Sequence, residues 1–281
     1  MKQEFTRIAV KVGSNVLTRR DGTLDVTRMS ALVDQIAELH KSGVEIILIS
    51  SGAVASGRSE IHPQKKLDSV DQRQLFSAVG QAKLINRYYE LFREHGIAVG
   101  QVLTTKENFS TRRHYLNQKN CMTVMLENGV IPIVNENDTV ATHEIEIGDN
   151  DTLSAIVASM IGADLLILLS DIDGLYTDDP RANPDAEFIE TVEHLDESFL
   201  RMGKSTTGSG VGTGGMSTKL TAATIATASG ADMVIANSKD VRIIHRIIDG
   251  ENYGTLFLAE KQDAFDLPDF VENLHSCRER G

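Results

Sequence analysis

The sequence predicts an α/β protein with a mainly parallel sheet that is covered by helices on both faces. Strand-like and helix-like stretches alternate along the chain, an order that favours parallel strands joined by crossover helices. Two continuous apolar runs, VEIILIS at 44–50 and DLLILLS at 164–170, are typical of strands buried on both sides. Polar residues and glycines follow several predicted strands, and the carboxyl ends of strands are where such sheets bind ligands.

The elements can be placed along the chain from these patterns. The predicted strands are 7–12, 44–50, 97–103, 130–135, 164–170 and 232–237. The predicted helices are 26–43, 69–94, 113–128, 149–162, 216–229 and 240–248. The first of these helices is amphipathic, since apolar residues recur on one of its faces. With no internal repeat or low-complexity linker, we expect one domain over 1–258 and a charged tail over 259–281.

Composition excludes several kinds of partner. The net charge of −12 disfavours duplex nucleic acid and anionic membrane surfaces, so an anionic ligand needs a local positive site. Only Cys121 and Cys277 are present, and neither is placed for a structural disulfide, which fits a reducing cytoplasm. The N-terminus MKQEFTRIAVKVG has no apolar h-region before a cleavage site, so we expect no export signal. No apolar run reaches about 18 residues, so we expect no membrane span.

Two short segments follow the first two strands. Lys11 interrupts an apolar strand near its carboxyl end, just before Gly13; a lysine that protects an edge strand is the alternative to a ligand role. Residues 50–53, SSGA, lead from a strand into helical sequence. They are either an ordinary helix N-cap or a site where free N–H groups hold a carboxylate or phosphate. No G-x-S-x-G occurs, so this is not a hydrolase elbow.

Two acidic segments, NEND at 135–138 and GDND at 148–151, place carboxylates and amides near the same edge of the sheet. A plain polar loop and an acidic helix start are the structural alternatives. The calcium-loop pattern is absent, and His143-Glu144 lacks the second histidine of H-E-x-x-H. A metal site built by the protein is therefore not predicted, whereas Mg²⁺ bound to a nucleotide is compatible with these residues.

The glycine-rich segment GSGVGTGGMSTK at 208–219 is the most specific signal. It fails the P-loop pattern, because Ser217 and Thr218 precede Lys219 instead of following it. Glycines before a helix N-terminus nevertheless allow close approach of anionic oxygens; a flexible loop with a helix cap is the alternative. Gly210, Gly212 and Gly215 also form G-x-G-x-x-G, but no buried strand precedes them and Asp232 begins a strand rather than ending one. That match to a dinucleotide fingerprint is therefore weak.

Five segments occur together in the order found in the amino acid kinase family. They are KVGSN, SSGAVASG, NENDTVAT, GDNDTLSA and GTGGMSTKLTAA. The chain resembles the members that phosphorylate L-glutamate, from residue 7 to about residue 258. The pair GDND-x-LSA and GTGGM-x-TK is specific within the family, since aspartokinases, N-acetylglutamate kinases and uridylate kinases differ at these segments.

The resemblance implies a three-layer α/β/α sandwich that uses ATP and Mg²⁺ to phosphorylate the γ-carboxylate of L-glutamate. The product is L-glutamyl 5-phosphate, the first intermediate of proline biosynthesis, and proline is the expected feedback inhibitor. We also expect a homo-oligomer. Many members carry a C-terminal PUA domain; we expect none in this sequence, because the chain ends at residue 281.

The resemblance also assigns residues to roles. The implied catalytic residues are Lys11, Lys219 and Asp151, with Asp151 placing the two lysines. The implied glutamate-binding residues are Ser51, Gly52, Asp138 and Asn150. The implied ATP-binding residues are Lys11, Ser170, Asp171, Thr213, Gly214, Gly215, Met216, Ser217, Thr218 and Lys219. Protein ligands for a metal are not implied, and Mg²⁺ is expected on the ATP phosphates.

The chemistry agrees with these roles. A glutamate side chain has a pKa of about 4.3, so the attacking carboxylate is already ionised at neutral pH and needs no general base. The difficulty is bringing an anion to a polyanionic phosphoryl group, which calls for positive charge such as Lys11 and Lys219 supply.

Three alternatives stay open on the sequence. One is a nicotinamide-binding oxidoreductase, based on the three glycines of G-x-G-x-x-G. Another is a catalytically inactive ligand sensor of the same fold, which the presence of both lysines and Asp151 disfavours. The third is a related kinase that acts on another carboxylate or on a carbamate.

Overall fold

The computed structural model describes residues 5–141, 147, 149–196, 199, 215–251 and 253–273. Within them the strands are β1 (Arg7–Val12), β2 (Glu45–Ser50), β3 (Val99–Thr104), β4 (Ile131–Glu136), β5 (Leu165–Ser170), β6 (Leu175–Tyr176), β7 (Phe188–Ile189), β8 (Thr191–Val192), β9 (Asp232–Asn237) and β10 (Thr255–Phe257). The helices are α1 (Ser14–Leu17), α2 (Val26–Lys41), α3 (Ala53–Glu60), α4 (Ser69–Glu94), α5 (Glu107–Ser110), α6 (Arg112–Glu127), α7 (Asn150–Ile161), α8 (Met216–Ser229), α9 (Ile243–Ile248) and α10 (Leu267–Glu272).

The central sheet has eight strands in the order β3-β4-β2-β1-β5-β9-β10-β8. Its neighbours pair in parallel except for β9 and β10, which are antiparallel. β1 lies inside the sheet, with Lys11 in register with Ile49 of β2 and Leu168 of β5. Lys11 is therefore not an edge-strand residue, and the predicted parallel sheet is confirmed.

The strands are buried on both faces, and alternate side chains enter two separate cores. Ala9, Ile47 and Ile49 pack with α7 and α8 on one face. Ile8 and Val10 pack with α2, α4 and α9 on the other face. This is the period of two expected for a strand. Helices cover both faces of the sheet, so the predicted three-layer α/β/α sandwich is confirmed.

Long elements lie close to their predicted positions, and short ones went unpredicted. β1, β9, α4 and α8 have the predicted bounds, and the other predicted elements are shifted by one to three residues at an end. The sequence analysis indicated α3 only as helical sequence after residue 53. It missed α1, α5, β6, β7, β8, β10 and α10, which have two to six residues each. Elements this short show too few repeats for a periodic pattern.

The described part of the predicted tail packs against the domain. The backbone N–H groups of Glu260 and Gln262 donate to the carbonyl groups of Thr227 and Ala228, at the C-terminal end of α8. Leu267 and Val271 of α10 are buried in the core on the α7 and α8 face. Along the described ranges, no helix is both long and apolar enough to cross a membrane.

Candidate active site

The carboxyl ends of β1, β2, β4, β5 and β9 meet at one edge of the sheet. The strands are parallel, and their last residues are in register: Val12 of β1 pairs with Ser50 of β2, and Ser170 of β5 pairs with Asn237 of β9. The loops and helix starts that follow these strands therefore gather at this edge. Ligands bind at the same place in other open α/β sheets.

The three residues predicted to be catalytic meet here in one buried ion cluster. Lys11 Nζ lies 2.6 Å from Asp151 Oδ1, and Lys219 Nζ lies 3.0 Å from Asp151 Oδ2. Asp151 is 1% exposed, and the two lysines are 8% and 5% exposed. Lys11 lies two residues after Ala9, so its side chain leaves β1 on the face covered by α7 and α8. The first turns of those helices carry Asp151 and Lys219.

The electrostatics of this cluster keep Asp151 ionised. Burial alone would raise the pKa of Asp151, but the ammonium groups of Lys11 and Lys219 outweigh burial and hold the pKa well below its usual range. Two ammonium groups and one carboxylate leave a net charge of +1 in a buried position. Each ammonium has three N–H donors, so donors remain for an anionic ligand after the contact with Asp151.

The N-terminus of α8 stands beside this cluster. Its N-cap is Gly215, and the backbone N–H groups of Met216, Ser217 and Thr218 belong to the first helical turn, which lacks intrahelical acceptors. The hydroxyl oxygen of Thr218 lies 3.1 Å from Asp151 Oδ2 and 2.8 Å from the Gly215 carbonyl oxygen. A helix start of this kind binds phosphate oxygens.

Part of the predicted ATP segment lies outside the described residues, namely Thr213 and Gly214. The same holds for Gly210 and Gly212, on which the dinucleotide fingerprint depended. The geometry of the glycine-rich segment is therefore established here from Gly215 onward.

Ser170 and Asp171 were also predicted to bind ATP. Ser170 is the last residue of β5, which pairs with β1, and Asp171 follows it. Ser170 Oγ donates to Asp171 Oδ1 at 3.2 Å, and Asn15 Nδ2 donates to Asp171 Oδ2 at 3.4 Å. The Ser170 carbonyl accepts from the hydroxyl of Ser238 at 2.7 Å, which ties this corner to the residue after β9. Both residues lie at the predicted edge, and their role toward ATP stays a prediction.

Three of the four residues predicted to bind glutamate, Ser51, Gly52 and Asn150, form a second, neutral group. Asn150 Nδ2 donates to Ser51 Oγ at 2.7 Å and to Asn135 Oδ1 at 3.1 Å. Gly52 is the N-cap of α3 with φ of 100°, a left-handed conformation that favours glycine. Ser51 and Gly52 thus sit at the start of α3, and Asn150 joins them to α7. Since Asn150 precedes Asp151, this group adjoins the ion cluster.

Asp138, also predicted for glutamate, has a partner that the sequence did not indicate. Its Oδ1 lies 3.8 Å from Arg73 Nε of α4, and Arg73 Nη2 donates to the Ala141 carbonyl at 3.1 Å. Arg73 therefore links α4 to the loop that follows β4. The assignment of Asp138 to the glutamate ammonium stays a prediction.

Sequence reasoning also missed Gln81 and gave no role to Asn135. Asn135 Nδ2 donates to Gln81 Oε1 at 3.0 Å, and both side chains are buried. The position of Asn135 directly after an apolar run was a usable signal. Gln81 offered none, since it is 54 residues away and looks like any polar residue of a long helix.

The model of the amino acid kinase family matches residues 6–237 of this chain. The chain belongs to the amino acid kinase family. Its relatives include a protein named glutamate 5-kinase from Bacteroides thetaiotaomicron, which is 72% identical over 246 residues, or 87% of this chain and 67% of the relative. A glutamate 5-kinase from Clostridium acetobutylicum is 45% identical over 256 residues, covering 91% of this amino acid kinase and 96% of the relative.

Solved structures share the fold of this amino acid kinase at low identity. UMP kinase from Bacillus anthracis superposes with a TM-score of 0.63 at 15% identity, covering 92% of this chain and 98% of that one. An isopentenyl phosphate kinase from T. acidophilum superposes with a TM-score of 0.60 at 16% identity, covering 90% and 100%. Identities this low establish the fold and nothing about the substrate.

Proposed function

We propose that this amino acid kinase transfers the γ-phosphoryl group of ATP to the γ-carboxylate of L-glutamate, forming L-glutamyl 5-phosphate and ADP. The observation that carries the proposal is the buried cluster of Lys11, Asp151 and Lys219, which adjoins the N-terminus of α8 and the neutral amide of Asn150. Identities of 72% and 45% to proteins named glutamate 5-kinase support glutamate as the acceptor. The reaction is the first step of proline biosynthesis.

The buried charges fit this reaction and need no general base. The acceptor carboxylate is ionised at neutral pH, so no proton must be removed before it attacks phosphorus. Catalysis must instead bring two anions together and stabilise the charge that develops on the phosphoryl oxygens. Lys11 and Lys219 supply that positive charge. Lys11 and Lys219 lower the pKa of Asp151, which makes its carboxylate a weak base, so its role here is to position the two lysines.

The two substrates would occupy opposite sides of the ion cluster. The phosphates of ATP would lie on the N-terminal turn of α8, from Gly215 to Lys219, with Ser170 and Asp171 toward the nucleoside. Thr213 and Gly214, also predicted to bind ATP, lie outside the described residues. Glutamate would lie at the start of α3 against Ser51, Gly52 and Asn150. Its ammonium group would face Asp138, because a carboxylate away from the phosphate site is the natural partner of a cation.

Mg²⁺ would be held chiefly by the phosphates of ATP. Within the described ranges, no three His, Cys, Asp or Glu side chains are grouped as ligands for a metal ion. Mg²⁺ usually keeps several waters and binds through one or two carboxylates together with substrate phosphates. When bound, Mg²⁺ neutralises charge on the phosphoryl oxygens.

Three further properties belong to the proposal. Proline would act as feedback inhibitor, because it is the end product of the route that this reaction begins. The enzyme would work in the cytoplasm, where ATP and glutamate are available, and it would form a homo-oligomer. None of these properties is needed for the chemistry at the ion cluster.

ADP release in the presence of hydroxylamine tests the proposed reaction. L-glutamate, L-aspartate and N-acetyl-L-glutamate are compared as acceptors, and hydroxylamine traps an acyl phosphate as a hydroxamate. We expect ADP release and γ-glutamyl hydroxamate with L-glutamate only. A stronger response to another acid would identify a different kinase, and NAD binding without any ATP turnover would favour the oxidoreductase.

A further inference from the structure

A continuous chain of side-chain amides runs from Gln81 on α4 to Ser51 at the start of α3. Gln81 Oε1 accepts from Asn135 Nδ2 at 3.0 Å, Asn135 Oδ1 accepts from Asn150 Nδ2 at 3.1 Å, and Asn150 Nδ2 donates to Ser51 Oγ at 2.7 Å. Gln81 and Asn135 are 7% and 4% exposed, so water has little access to their amides. The proposed mechanism gives no role to Gln81.

A backbone group fixes the direction of every amide in this chain. The N–H of Glu136 donates to Asn135 at 2.9 Å, and a backbone N–H can only donate. The oxygen of Asn135 must therefore face Glu136 and Asn150, which turns its NH₂ group toward Gln81. Gln81 must therefore accept this hydrogen bond through its amide oxygen, and Asn150 must donate to Asn135 through its NH₂ group.

This direction decides what the glutamate site offers to a ligand. Both N–H groups of the Asn150 amide donate to protein oxygens. The atom of this amide that remains for a ligand is Oδ1, which can only accept hydrogen bonds. Ionised glutamate has one group with donors, its α-ammonium. Ser51 Oγ accepts from Asn150, so its own proton is left for an acceptor such as a carboxylate. The pair matches an α-amino acid.

α4 can reach this position because glycine allows it to approach α3 closely. A Cβ atom at Gly80, the residue before Gln81, would lie 1.7 Å from the Ala53 carbonyl oxygen in the first turn of α3. α3 and α4 therefore touch through their backbones beside Ser51 and Gly52. The contact places Gln81 within reach of Asn135.

We propose that Gln81 is a positioning residue that sets the specificity of this site for the amino acid end of glutamate. Gln81 orients the amide of Asn135, and the oriented Asn135 in turn orients the amide of Asn150. The inference rests on the proposed function, since it needs glutamate as the ligand. Substitution of Gln81 should weaken glutamate binding in ground state and transition state alike, because the contact lies away from the transferred phosphoryl group.

Steady-state kinetics of Gln81→Met tests this assignment, with Gln72→Met as the matched control. Gln72 lies on the same helix and donates one amide hydrogen bond, to the Leu67 carbonyl at 2.9 Å. We expect Gln81→Met to raise the KM for glutamate about three- to tenfold, the worth of one neutral hydrogen bond. The kcat and the KM for ATP should change less than about twofold, and Gln72→Met should change none of the three by more than that.

A double-mutant cycle shows whether Gln81 acts through Asn135. In an Asn135→Ala background, Gln81→Met should change the KM for glutamate less than about twofold, because the link is already broken. The inference is overturned if folded Gln81→Met leaves this KM unchanged, if its effect persists in the Asn135→Ala background, or if all three constants change together. Gln81→Ala, which also removes the acceptor, is read in the same way should Gln81→Met fail to fold. Wild-type protein without glutamate-dependent turnover would overturn the proposed function itself.

Discussion

Replacing Asp151 with asparagine removes the one negative charge between two buried lysines and keeps the shape of the side chain. Lys11 and Lys219 contact different oxygens of Asp151, at 2.6 and 3.0 Å. In Asp151→Asn, whichever way the amide turns, one ammonium group faces an NH₂ group. The variant therefore leaves two buried cations with one acceptor between them.

The cost can be worked out from the burial of these groups. Removing one partner from a buried ion pair typically destabilises a protein by about 3–5 kcal/mol. A chain of 281 residues has an unfolding entropy of about 0.6 kcal/mol/K, so this loss lowers the Tm by about 5–8 °C. Misplaced lysines should also lower kcat by about a hundredfold, a loss typical of poorly positioned catalytic groups.

ATP should partly restore the stability of Asp151→Asn, because its phosphates bring the missing negative charge. Thermal unfolding with and without ATP measures this, and ATP should raise the Tm of the variant more than that of the wild type. Asp232→Asn is the control: Asp232 is buried, accepts from the Ala259 N–H at 2.7 Å and begins β9 at the other end of the strands. It should leave kcat unchanged. The reasoning is refuted if Asp151→Asn keeps wild-type Tm and kcat.

The remaining predictions concern the second lysine, the glutamate ammonium, the packed tail and pH. Lys219→Met should lower kcat on the order of 100-fold or more, with a smaller change in the KM for glutamate. The control Lys41→Met, at the exposed end of α2, should leave kcat unchanged, and near-normal turnover of Lys219→Met would contradict the assignment. Asp138→Asn should raise the KM for glutamate about ten- to a hundredfold and leave the KM for ATP unchanged; the opposite pattern would place Asp138 on the nucleotide side. Leu267→Ala should lower the Tm by about 3–8 °C, as expected for loss of a buried leucine, and exposed Glu272→Ala should not; equal Tm values would mean that α10 contributes nothing. Folding lowers the pKa of Asp151, so the ionised carboxylate stabilises the fold above its unfolded pKa of about 3.9, and this contribution is lost as the pH falls below that value. Below this pH the Tm of wild type should therefore fall more steeply than the Tm of Asp151→Asn. Parallel curves of Tm against pH would contradict the lowered pKa.

The sequence predicted the sheet because its strands are continuous apolar runs and its long helices are periodic. It also placed Lys11 near the carboxyl end of a strand, and the period of two then sends that side chain toward α7 and α8. The meeting of Lys11, Asp151 and Lys219 at one point was implied by the family resemblance, and no local pattern of the sequence predicts it. That meeting depends on how two helices lie across the sheet, which is a property of packing.

Residues that act through other side chains were the hardest to foresee. Gln81 and Arg73 lie on α4, a helix of 26 residues with many polar positions. Their partners, Asn135 in β4 and Asp138 just after it, are more than 50 residues away in the sequence. No local pattern separates them from solvent-facing neighbours. The close approach of α4 to α3 at Gly80 is a property of how the two helices pack, which the sequence pattern does not show.

Isotope transfer from the acceptor tests the central claim most directly. L-glutamate carrying ¹⁸O in its γ-carboxylate is incubated with ATP and the enzyme, and hydroxylamine cleaves the acyl phosphate at carbon. If the γ-carboxylate attacks phosphorus, each phosphate released carries one ¹⁸O atom and the hydroxamate keeps the other. Phosphate without ¹⁸O would mean that water attacks ATP, and it would contradict the account of a carboxylate brought to the phosphoryl group by Lys11 and Lys219.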